Sequence, residues 1–137
     1  MKIARRFTTP DASPYEGIAF ETRSSEIKNL DGSPVARVAK VVVPAFWSRI
    51  ASDILAQRYF RKTGVPLKRR PCPEDGVPEW LQRQVPDDEA LAGLPPEERF
   101  RGEEDAREVF ERMAGCWTYW GWKHGYFDSP EDARAYR

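Results

Sequence analysis

Proline is distributed very unevenly along this chain, and that distribution constrains the fold more than any other feature. Seven of the twelve prolines lie within residues 64–102. Because proline lacks an amide hydrogen and clashes with the preceding helical turn, this stretch permits only short helical turns, which we expect at residues 79–84 and 87–92. This Pro-rich segment therefore joins two regions that have longer regular elements. A stretch of this kind is unusual in a compact domain, and wrapping around a partner is one interpretation.

The region before the Pro-rich segment begins without regular structure and continues as a hairpin. Residues 1–16 have no hydrophobic period, which predicts an extended arm. Alternation begins at residue 17 and places Glu21 and Arg23 on a solvent-facing side, as expected for a strand with one wet face. Residues 29–33 (NLDGS) have the composition of a turn, and a second strand rich in β-branched residues follows. The pattern predicts a β-hairpin over residues 17–43.

Two long helices are predicted, one on each side of the Pro-rich segment. The first covers residues 44–63, because Pro44 suits a first helical turn and Gly64 suits a C-terminal cap. The second covers residues 103–122, with acidic residues in its first turn. Both have apolar residues at helical spacing. In the first helix these are Trp47, Ile50, Ala51, Ile54, Leu55 and Tyr59, and in the second Ala106, Val109, Phe110, Met113, Trp117 and Trp120.

The end of the sequence has the pattern of a further helix start. Ser129 suits an N-cap, Pro130 the first helical position, and Glu131 and Asp132 the first turn. Residues 129–137 give only about two turns, fewer than an isolated helix needs. We therefore expect a truncated helix, and the chain to be the front part of a longer protein or to be completed by another chain.

These elements predict an α+β fold, mainly α, in a single domain over residues 1–137, a length that suits one domain. No apolar run approaches the roughly 18 residues that cross a bilayer, and residues 1–7 lack the features of a secretory signal, so we expect a cytoplasmic protein.

The net charge of zero hides an uneven distribution of charge along the chain. Residues 1–70 carry 14 Lys and Arg against 6 Asp and Glu, whereas residues 71–137 carry 8 against 16. Either the halves attract each other, or each faces a different partner.

No residue set with the spacing of a catalytic or metal site is found in the sequence. His124 is the single histidine, which excludes a multi-histidine metal site within the chain. Cys72 and Cys116 lie far apart without a CxxC spacing, and free thiols are expected for both. No glycine-rich phosphate-binding motif occurs. We assign no catalytic, cofactor-binding or metal-binding residue.

A short basic stretch is one of two candidate binding features. Lys68, Arg69 and Arg70 follow three further cations, at positions 58, 61 and 62. Salt contacts within the chain or to another subunit are one interpretation, and contacts to phosphate are the other. The neutral net charge argues against general affinity for nucleic acid.

The second candidate feature is a cluster of four aromatic residues within six positions. A single helix cannot direct all of them to one side, so at least one aromatic face is left over. This cluster is either a thick corner of the core or an interface, where aromatic anchors are enriched. The candidate docking residues are Trp117, Tyr119, Trp120 and Trp122 of this cluster, with Phe7 and Tyr15 of the arm.

Four stretches together resemble the amino-terminal region of bacterial adenosylcobalamin-dependent (class II) ribonucleotide reductases, in order and over essentially the whole chain. They are residues 1–20 (MKIARRFTTPDASPYEGIAF), 44–62 (PAFWSRIASDILAQRYFRK), 77–81 (VPEWL) and 116–127 (CWTYWGWKHGYF). The sequence departs from the family at Asp11 and His124, where glycine is usual, and at Cys116, where a small hydroxyl residue is usual.

The resemblance implies a large cytoplasmic enzyme that makes deoxyribonucleotides for DNA synthesis. It implies ribonucleotide substrates, with a leaning towards diphosphates, adenosylcobalamin as cofactor, a thiyl radical on a cysteine inside an α/β barrel, and a thioredoxin-type reductant. The cofactor supplies the hard chemistry in such enzymes, and the protein positions and shields the radical. The barrel and its cysteines lie beyond the region that this chain resembles. The chain is therefore expected to be a structural segment, inactive alone, whose partner is the catalytic barrel.

Two other classes of function stay open. One is a stand-alone module that binds nucleotides or nucleic acid through residues 58–70. The other is a non-catalytic interaction protein whose aromatic face recruits a partner.

Overall fold

The computed structural model describes residues 1–28, 31 and 33–137, so Asn29, Leu30 and Gly32 of the predicted turn lie outside the described residues. The chain forms two compact units. The hairpin unit contains Gly17–Val65 and Phe100–Phe110, and the aromatic unit contains Met1–Glu16, Pro66–Arg99 and Glu111–Arg137. Helices and small sheets occur together, so the predicted α+β class is confirmed. The single domain stays a prediction. Within the described ranges, none of the helices has the length and hydropathy to span a membrane.

The hairpin unit is built around an antiparallel strand pair. β1 (Phe20–Lys28) runs against β2 (Pro34–Pro44), with Phe20 opposite Pro44. The register shifts between Arg23 and Ser25, as in a β-bulge. The hairpin predicted over residues 17–43 is confirmed.

The predicted solvent-facing side of β1 is wrong at Arg23. This side chain is half-buried, and its guanidinium donates hydrogen bonds to the Trp47 carbonyl oxygen (2.8 Å) and to Ser52 Oγ (2.7 Å). Ser25, on the same side, is buried. The alternation thus predicts the strand correctly, but it does not reveal that a charged side chain on it bonds to the next helix.

The helix predicted over residues 44–63 is shorter than expected. α1 (Arg49–Ile54) begins after Ser48, whose side chain accepts a hydrogen bond from the Ala51 amide (3.1 Å). A π-helical turn, Leu55–Tyr59, continues it. Pro44 ends β2 instead of starting the helix, so that prediction is wrong. Proline suits a strand end as well as a first helical turn, and the Ser48 cap decided the start.

The predicted apolar stripe of this helix is only partly buried. Leu55 and Ala56 belong to the core, whereas Ile50 and Ile54 are exposed. The hydrophobic core of the hairpin unit includes residues from β2, from the π-helical turn and the chain just after it, and from residues 106–109. Among the residues whose burial is described, the buried hydrophobic ones are Val41, Val43, Leu55, Ala56, Phe60, Val65, Ala106 and Val109.

The second long helix, α3 (Ala106–Lys123), begins three residues later than predicted and ends one residue later. The Asp105 side chain accepts a hydrogen bond from the Arg107 amide (2.9 Å), and Glu108 accepts one from the Asp105 amide (3.2 Å). Both side chains cap the helix, Asp105 by accepting from the amide of the second helical residue and Glu108 by accepting from the amide of the cap residue itself. These bonds place the helix start at Ala106, three residues after the position predicted from the acidic residues 103–105.

The Pro-rich segment contains short elements. β3 (Val65–Pro66) pairs with β6 (Phe100–Arg101), and β4 (Arg69–Pro71) pairs antiparallel with β5 (Gln84–Pro86). α2 (Asp88–Ala92) confirms the turn predicted at 87–92, with Asp87 as its cap. The turn predicted at 79–84 is a 3₁₀ turn limited to Glu79–Leu81, and a second 3₁₀ turn covers Pro96–Glu98. The short strands were not predicted, because two or three residues carry no readable alternation.

The last element, α4 (Pro130–Tyr136), has the predicted start. The Ser129 side chain accepts a hydrogen bond from the Asp132 amide (3.1 Å). Asp132 in turn holds the beginning of the arm, because its Oδ1 accepts a hydrogen bond from the Ile3 amide (2.6 Å). The hydrogen bond from the Ile3 amide lowers the pKa of Asp132 most, and the hydrogen bond from the Ser129 hydroxyl lowers it further.

Within the arm, Asp11 has a positive φ of 62°. Glycine adopts this left-handed conformation without strain, and the family resemblance leads us to expect glycine at this position.

Candidate functional site

The aromatic cluster of α3 is divided between opposite sides of the helix. Trp117 and Trp120 are 49% and 57% exposed, whereas Tyr119 and Trp122 are half-buried. Thr118, between them, is fully buried and donates a hydrogen bond to a carbonyl one turn earlier, that of Ala114 (2.7 Å). The helical period of 3.6 residues explains the division, because positions 117 and 120 are neighbours on one side and 119 and 122 on another.

The half-buried side of the cluster is bonded to the Pro-rich segment. Tyr119 donates a hydrogen bond from its hydroxyl to Glu74 Oε2 (2.7 Å), and Lys123 Nζ lies 2.5 Å from Glu74 Oε1. Trp122 Nε1 donates to the Gly76 carbonyl oxygen (2.6 Å). The hydrogen bonds from Lys123 and Tyr119 hold the pKa of Glu74 below its usual value. These contacts fix the orientation of α3 within the aromatic unit.

The exposed side of the cluster lines an open pocket of about 480 Å³, which we call the aromatic groove. Its walls come from α3, from the turn after it, from α4 and from the first residue of the arm. The lining residues are Met1, Trp117, Trp120, Gly121, Tyr126, Phe127 and Tyr136.

Two details of the backbone give the aromatic groove its shape. Gly125 has a φ of 67°, which lets the chain reverse direction after α3. The Gly121 position leaves room for Phe127, since a Cβ atom at residue 121 would lie 2.7 Å from Phe127 Cε2. The Phe127 ring also packs against Tyr136, with ring centroids 5.4 Å apart. Because Gly121 has no side chain, the Phe127 ring can pack against α3 and form one wall of the aromatic groove.

The chemistry of the aromatic groove suits binding. Its volume lies within the range of about 300–1,000 Å³ that is usual for ligand pockets. The only charged group at its lining residues is the Met1 amine, which forms an ion pair with Asp128. The rings offer apolar area and flat faces to an apolar or aromatic group. Such surfaces are typical of anchor sites in protein interfaces.

The predicted arm residues do not line the aromatic groove. Phe7 is 98% exposed. Tyr15 is half-buried, and its hydroxyl donates a hydrogen bond to Glu111 Oε1 (3.3 Å), on α3. The structure thus brings Trp117 and Trp120 together in one surface, and leaves Phe7, Tyr15, Tyr119 and Trp122 outside it.

The basic stretch is divided between the two units. Lys68, Arg69 and Arg70 lie in or beside β4, and all three are exposed. None of the three forms an ion pair with any residue that the structure describes. The other cations of the stretch, at positions 58, 61 and 62, belong to the hairpin unit.

The remaining candidate groups for chemistry lie apart. His124 is exposed, with its ring centroid 6.1 Å from that of Tyr126, and Cys116 is an exposed free thiol. Cys72 is half-buried and also free. Across residues 1–28, 31 and 33–137, no three His, Cys, Asp or Glu side chains gather as metal ligands would.

Sequence reasoning missed five of the seven residues that line the aromatic groove. Tyr126, Phe127 and Tyr136 follow the helix that carries the tryptophans. The signal was present in the glycine at 125, which permits a chain reversal, and in the aromatic residues directly after it. Met1 and Gly121 carried no signal of their own.

Comparison with known proteins shows which family the chain resembles. The family model described as class II vitamin B12-dependent ribonucleotide reductase matches residues 21–137. A vitamin B12-dependent ribonucleotide reductase of Bradyrhizobium diazoefficiens is 54% identical over 99% of this chain and 11% of its own length. One of Agrobacterium fabrum is 53% identical over 100% of this chain and 11% of its own length. A third, of Rhodopirellula baltica, is 25% identical over the whole chain.

The chain thus spans about a tenth of the length of the curated relatives that it matches, in their N-terminal region. The chain is thus a small α+β segment that matches a small part of much larger enzymes. The chain belongs to the class II vitamin B12-dependent ribonucleotide reductase family.

Proposed function

We propose that this chain is the N-terminal structural segment of a reductase that converts ribonucleotides to 2′-deoxyribonucleotides for DNA synthesis. The family assignment supports this proposal. In the finer form of the proposal, the substrates are ribonucleoside diphosphates, the cofactor is adenosylcobalamin, a thioredoxin-type protein is the reductant, and the enzyme is cytoplasmic. The segment itself is inactive and holds the catalytic barrel through its aromatic residues.

The composition of the aromatic unit supports a docking role. All residues of this unit are described, and its fully buried hydrophobic residues are only Val77, Leu81, Leu91 and Ala133. Its exposed large hydrophobic residues are more numerous: Met1, Phe7, Leu67, Trp117, Trp120, Tyr126 and Tyr136. Five of these exposed residues line the aromatic groove together, and such a contiguous apolar patch is typical of an interaction site.

The single observation that carries the proposal is the exposure of both groove tryptophans. Each is about half exposed, and a tryptophan buries up to about 250 Å², so covering both removes roughly 250 Å² from water. At about 25 cal/mol per Å², this burial is worth at most about 6 kcal/mol. A gain of that size is comparable with the lower end of the usual stability of a domain, about 5–15 kcal/mol.

The chemistry of the proposed reaction is assigned to the remainder of the enzyme. When bound, the cofactor supplies a cobalt–carbon bond whose cleavage starts the radical reaction. We propose that the cobalamin site, too, lies outside this segment. The groove offers no imidazole to the metal, and His124 lies on the surface outside it. We therefore derive no catalytic step from these residues.

Deletion and reconstitution test the proposed function. Removing residues 1–137 from the full-length reductase should lower cobalamin-dependent ribonucleotide reduction at least tenfold, and adding the separate chain should restore most of it. The chain alone should show no reduction. Addition of a Trp117→Ser, Trp120→Ser chain is the matched control, and it should restore much less. Full activity of the deleted enzyme would contradict the proposal.

The exposed cations of β4 favour a second, weaker candidate function, the binding of phosphate groups. Lys68, Arg69 and Arg70 have no anionic partner among the described residues and would contribute about three phosphate contacts. Binding to single-stranded DNA that falls steeply with salt and is lost in a Lys68→Gln, Arg69→Gln, Arg70→Gln variant would support it. Under the structural-segment proposal, no such binding is expected at physiological salt.

A further inference from the structure

The hairpin unit has an exposed apolar surface of its own. Phe46 is 76% exposed, Ile50 72% and Ile54 51%. We call these three residues the exposed stripe. Ile50 and Ile54 are four residues apart on α1, the spacing that places side chains above one another on a helix, and Phe46 lies in the turn just before the helix. Single exposed hydrophobic residues are ordinary, but three large ones in one short segment indicate an interaction surface.

The core contacts of this segment are made by other residues. Leu55 and Phe60 are buried, and the Phe60 amide donates a hydrogen bond to the Leu55 carbonyl oxygen (3.1 Å). These two residues begin and follow the five-residue π-helical turn. Turns of this type are rare and often occur at functional sites. The exposed stripe itself contributes little to the core, because each of its three side chains is more than half exposed.

The border of the exposed stripe resembles that of a protein interface. Arg49 and Asp53 form an ion pair of 3.9 Å on the same helix. A polar rim beside an apolar centre is the usual arrangement of an interface.

The size of the exposed stripe argues against a second copy of this chain as its partner. With roughly 150–250 Å² for a large apolar side chain, the stripe exposes about 400 Å². A stable interface between separate proteins needs about 800 Å² from each partner. A surface of half that size is sufficient when the partner is part of the same polypeptide, because linkage raises the effective concentration to the millimolar range.

The relatives contain a long stretch of polypeptide that could be such a partner. The two relatives above 50% identity continue for about nine tenths of their length outside the region that matches this chain. We propose that the exposed stripe is a second docking surface, separate from the aromatic groove, and that it lies against the remainder of the reductase polypeptide. This inference rests on the proposed function, because it requires the chain to be a segment of the complete enzyme.

Photo-crosslinking in the full-length reductase tests this surface. The photoreactive residue p-benzoylphenylalanine replaces Phe46 or Ile54, and the crosslinked peptides are identified by mass spectrometry. The matched control places it at Thr63, which is exposed in the same unit but lies outside the exposed stripe and its polar rim. Positions 46 and 54 should crosslink to peptides beyond residue 137 at least five times more than position 63. Equal yields, crosslinks confined to residues 1–137, or crosslinks to a second copy would each overturn the inference.

A parallel experiment with the photoreactive residue at Trp120 separates the two proposals. If position 120 crosslinks beyond residue 137 and positions 46 and 54 do not, the second docking surface is wrong and the proposed function stands. If none of these positions crosslinks there, both are wrong.

A substitution gives an independent measurement. Ile50→Asp should leave the circular dichroism spectrum unchanged, because the side chain is exposed, while a protease releases the segment from the full-length reductase at least ten times faster. Thr63→Asp adds the same charge at an exposed position outside the exposed stripe and should leave the rate unchanged. Equal rates for the two variants would overturn the inference.

Discussion

Two glycines of the same helix should respond to alanine in opposite directions. Gly115 and Gly121 both lie within α3. A Cβ atom at residue 115 would meet nothing within 4 Å, whereas one at residue 121 would lie 2.7 and 2.9 Å from two atoms of the Phe127 ring. We expect Gly115→Ala to stabilise the chain and Gly121→Ala to destabilise it and to displace a wall of the aromatic groove.

The magnitudes follow from two opposing effects. Alanine in a helix interior is favoured over glycine by about 0.8–1 kcal/mol, and both variants gain this amount. Adding a methyl group to a filled site costs about 1–3 kcal/mol, and only Gly121→Ala meets this cost. Gly115→Ala should therefore raise the free energy of unfolding by about 1 kcal/mol. Gly121→Ala should change it by about 0 to −2 kcal/mol, so that the variants differ by about 1–3 kcal/mol.

Urea unfolding of the 137-residue chain, followed by tryptophan fluorescence, measures both free energies. The difference between the variants is more informative than either value, because the helix propensity cancels. If Gly121→Ala were as stable as Gly115→Ala, Phe127 would not pack against residue 121, and the shape assigned to the aromatic groove would be wrong.

Three further predictions concern other contacts. Burial alone would raise the pKa of Glu108, but hydrogen bonds from Arg101 and from two backbone amides lower it. Glu108→Gln removes the charge that pairs with Arg101 and should cost about 1 kcal/mol at pH 7. This loss should shrink as the pH falls through the lowered folded-state pKa, and a pH-independent loss in urea unfolding would contradict the pairing of an ionised Glu108 with Arg101. Gly102→Ala should cost about 1–3 kcal/mol by thermal unfolding, because its Cβ atom would lie 2.7 Å from the Lys62 carbonyl oxygen, and unchanged stability would refute that close approach. The hydrogen bond to Glu74 raises the pKa of Tyr119, so Glu74→Gln should let this tyrosine titrate at lower pH by NMR, and an unchanged titration would exclude the bond.

Local chemistry made several elements predictable from the sequence. Ser129, Pro130 and the acids after them specified α4 because a cap, a fixed φ and the helix dipole all favour the same start. The alternation in β1 specified the hairpin for a similar reason. Where local signals disagreed, the prediction was wrong, as at Pro44, which suits a strand end and a helix start equally well.

Tertiary contacts decided what the sequence did not specify. Arg23 is half-buried only because the carbonyl of Trp47 and the hydroxyl of Ser52 lie within reach, and neither is close to it in sequence. The aromatic groove likewise joins residues from the two ends of the chain, Met1 and Tyr136 among them. The tryptophans of the groove were predictable from their helical spacing, but its other walls depend on how the chain reverses after α3.

The central claim is that the aromatic groove is covered by the remainder of the reductase. Hydroxyl-radical labelling of the tryptophan side chains, compared between the 137-residue chain and the full-length enzyme, tests it most directly. Trp80 is the matched reference, since it lies outside the aromatic groove beneath Arg134, whose guanidinium is 5.1 Å from the ring centroid. We predict that Trp117 and Trp120 are labelled at least five times more slowly in the full-length enzyme, with Trp80 unchanged. Equal labelling of all three tryptophans in both proteins would contradict the claim.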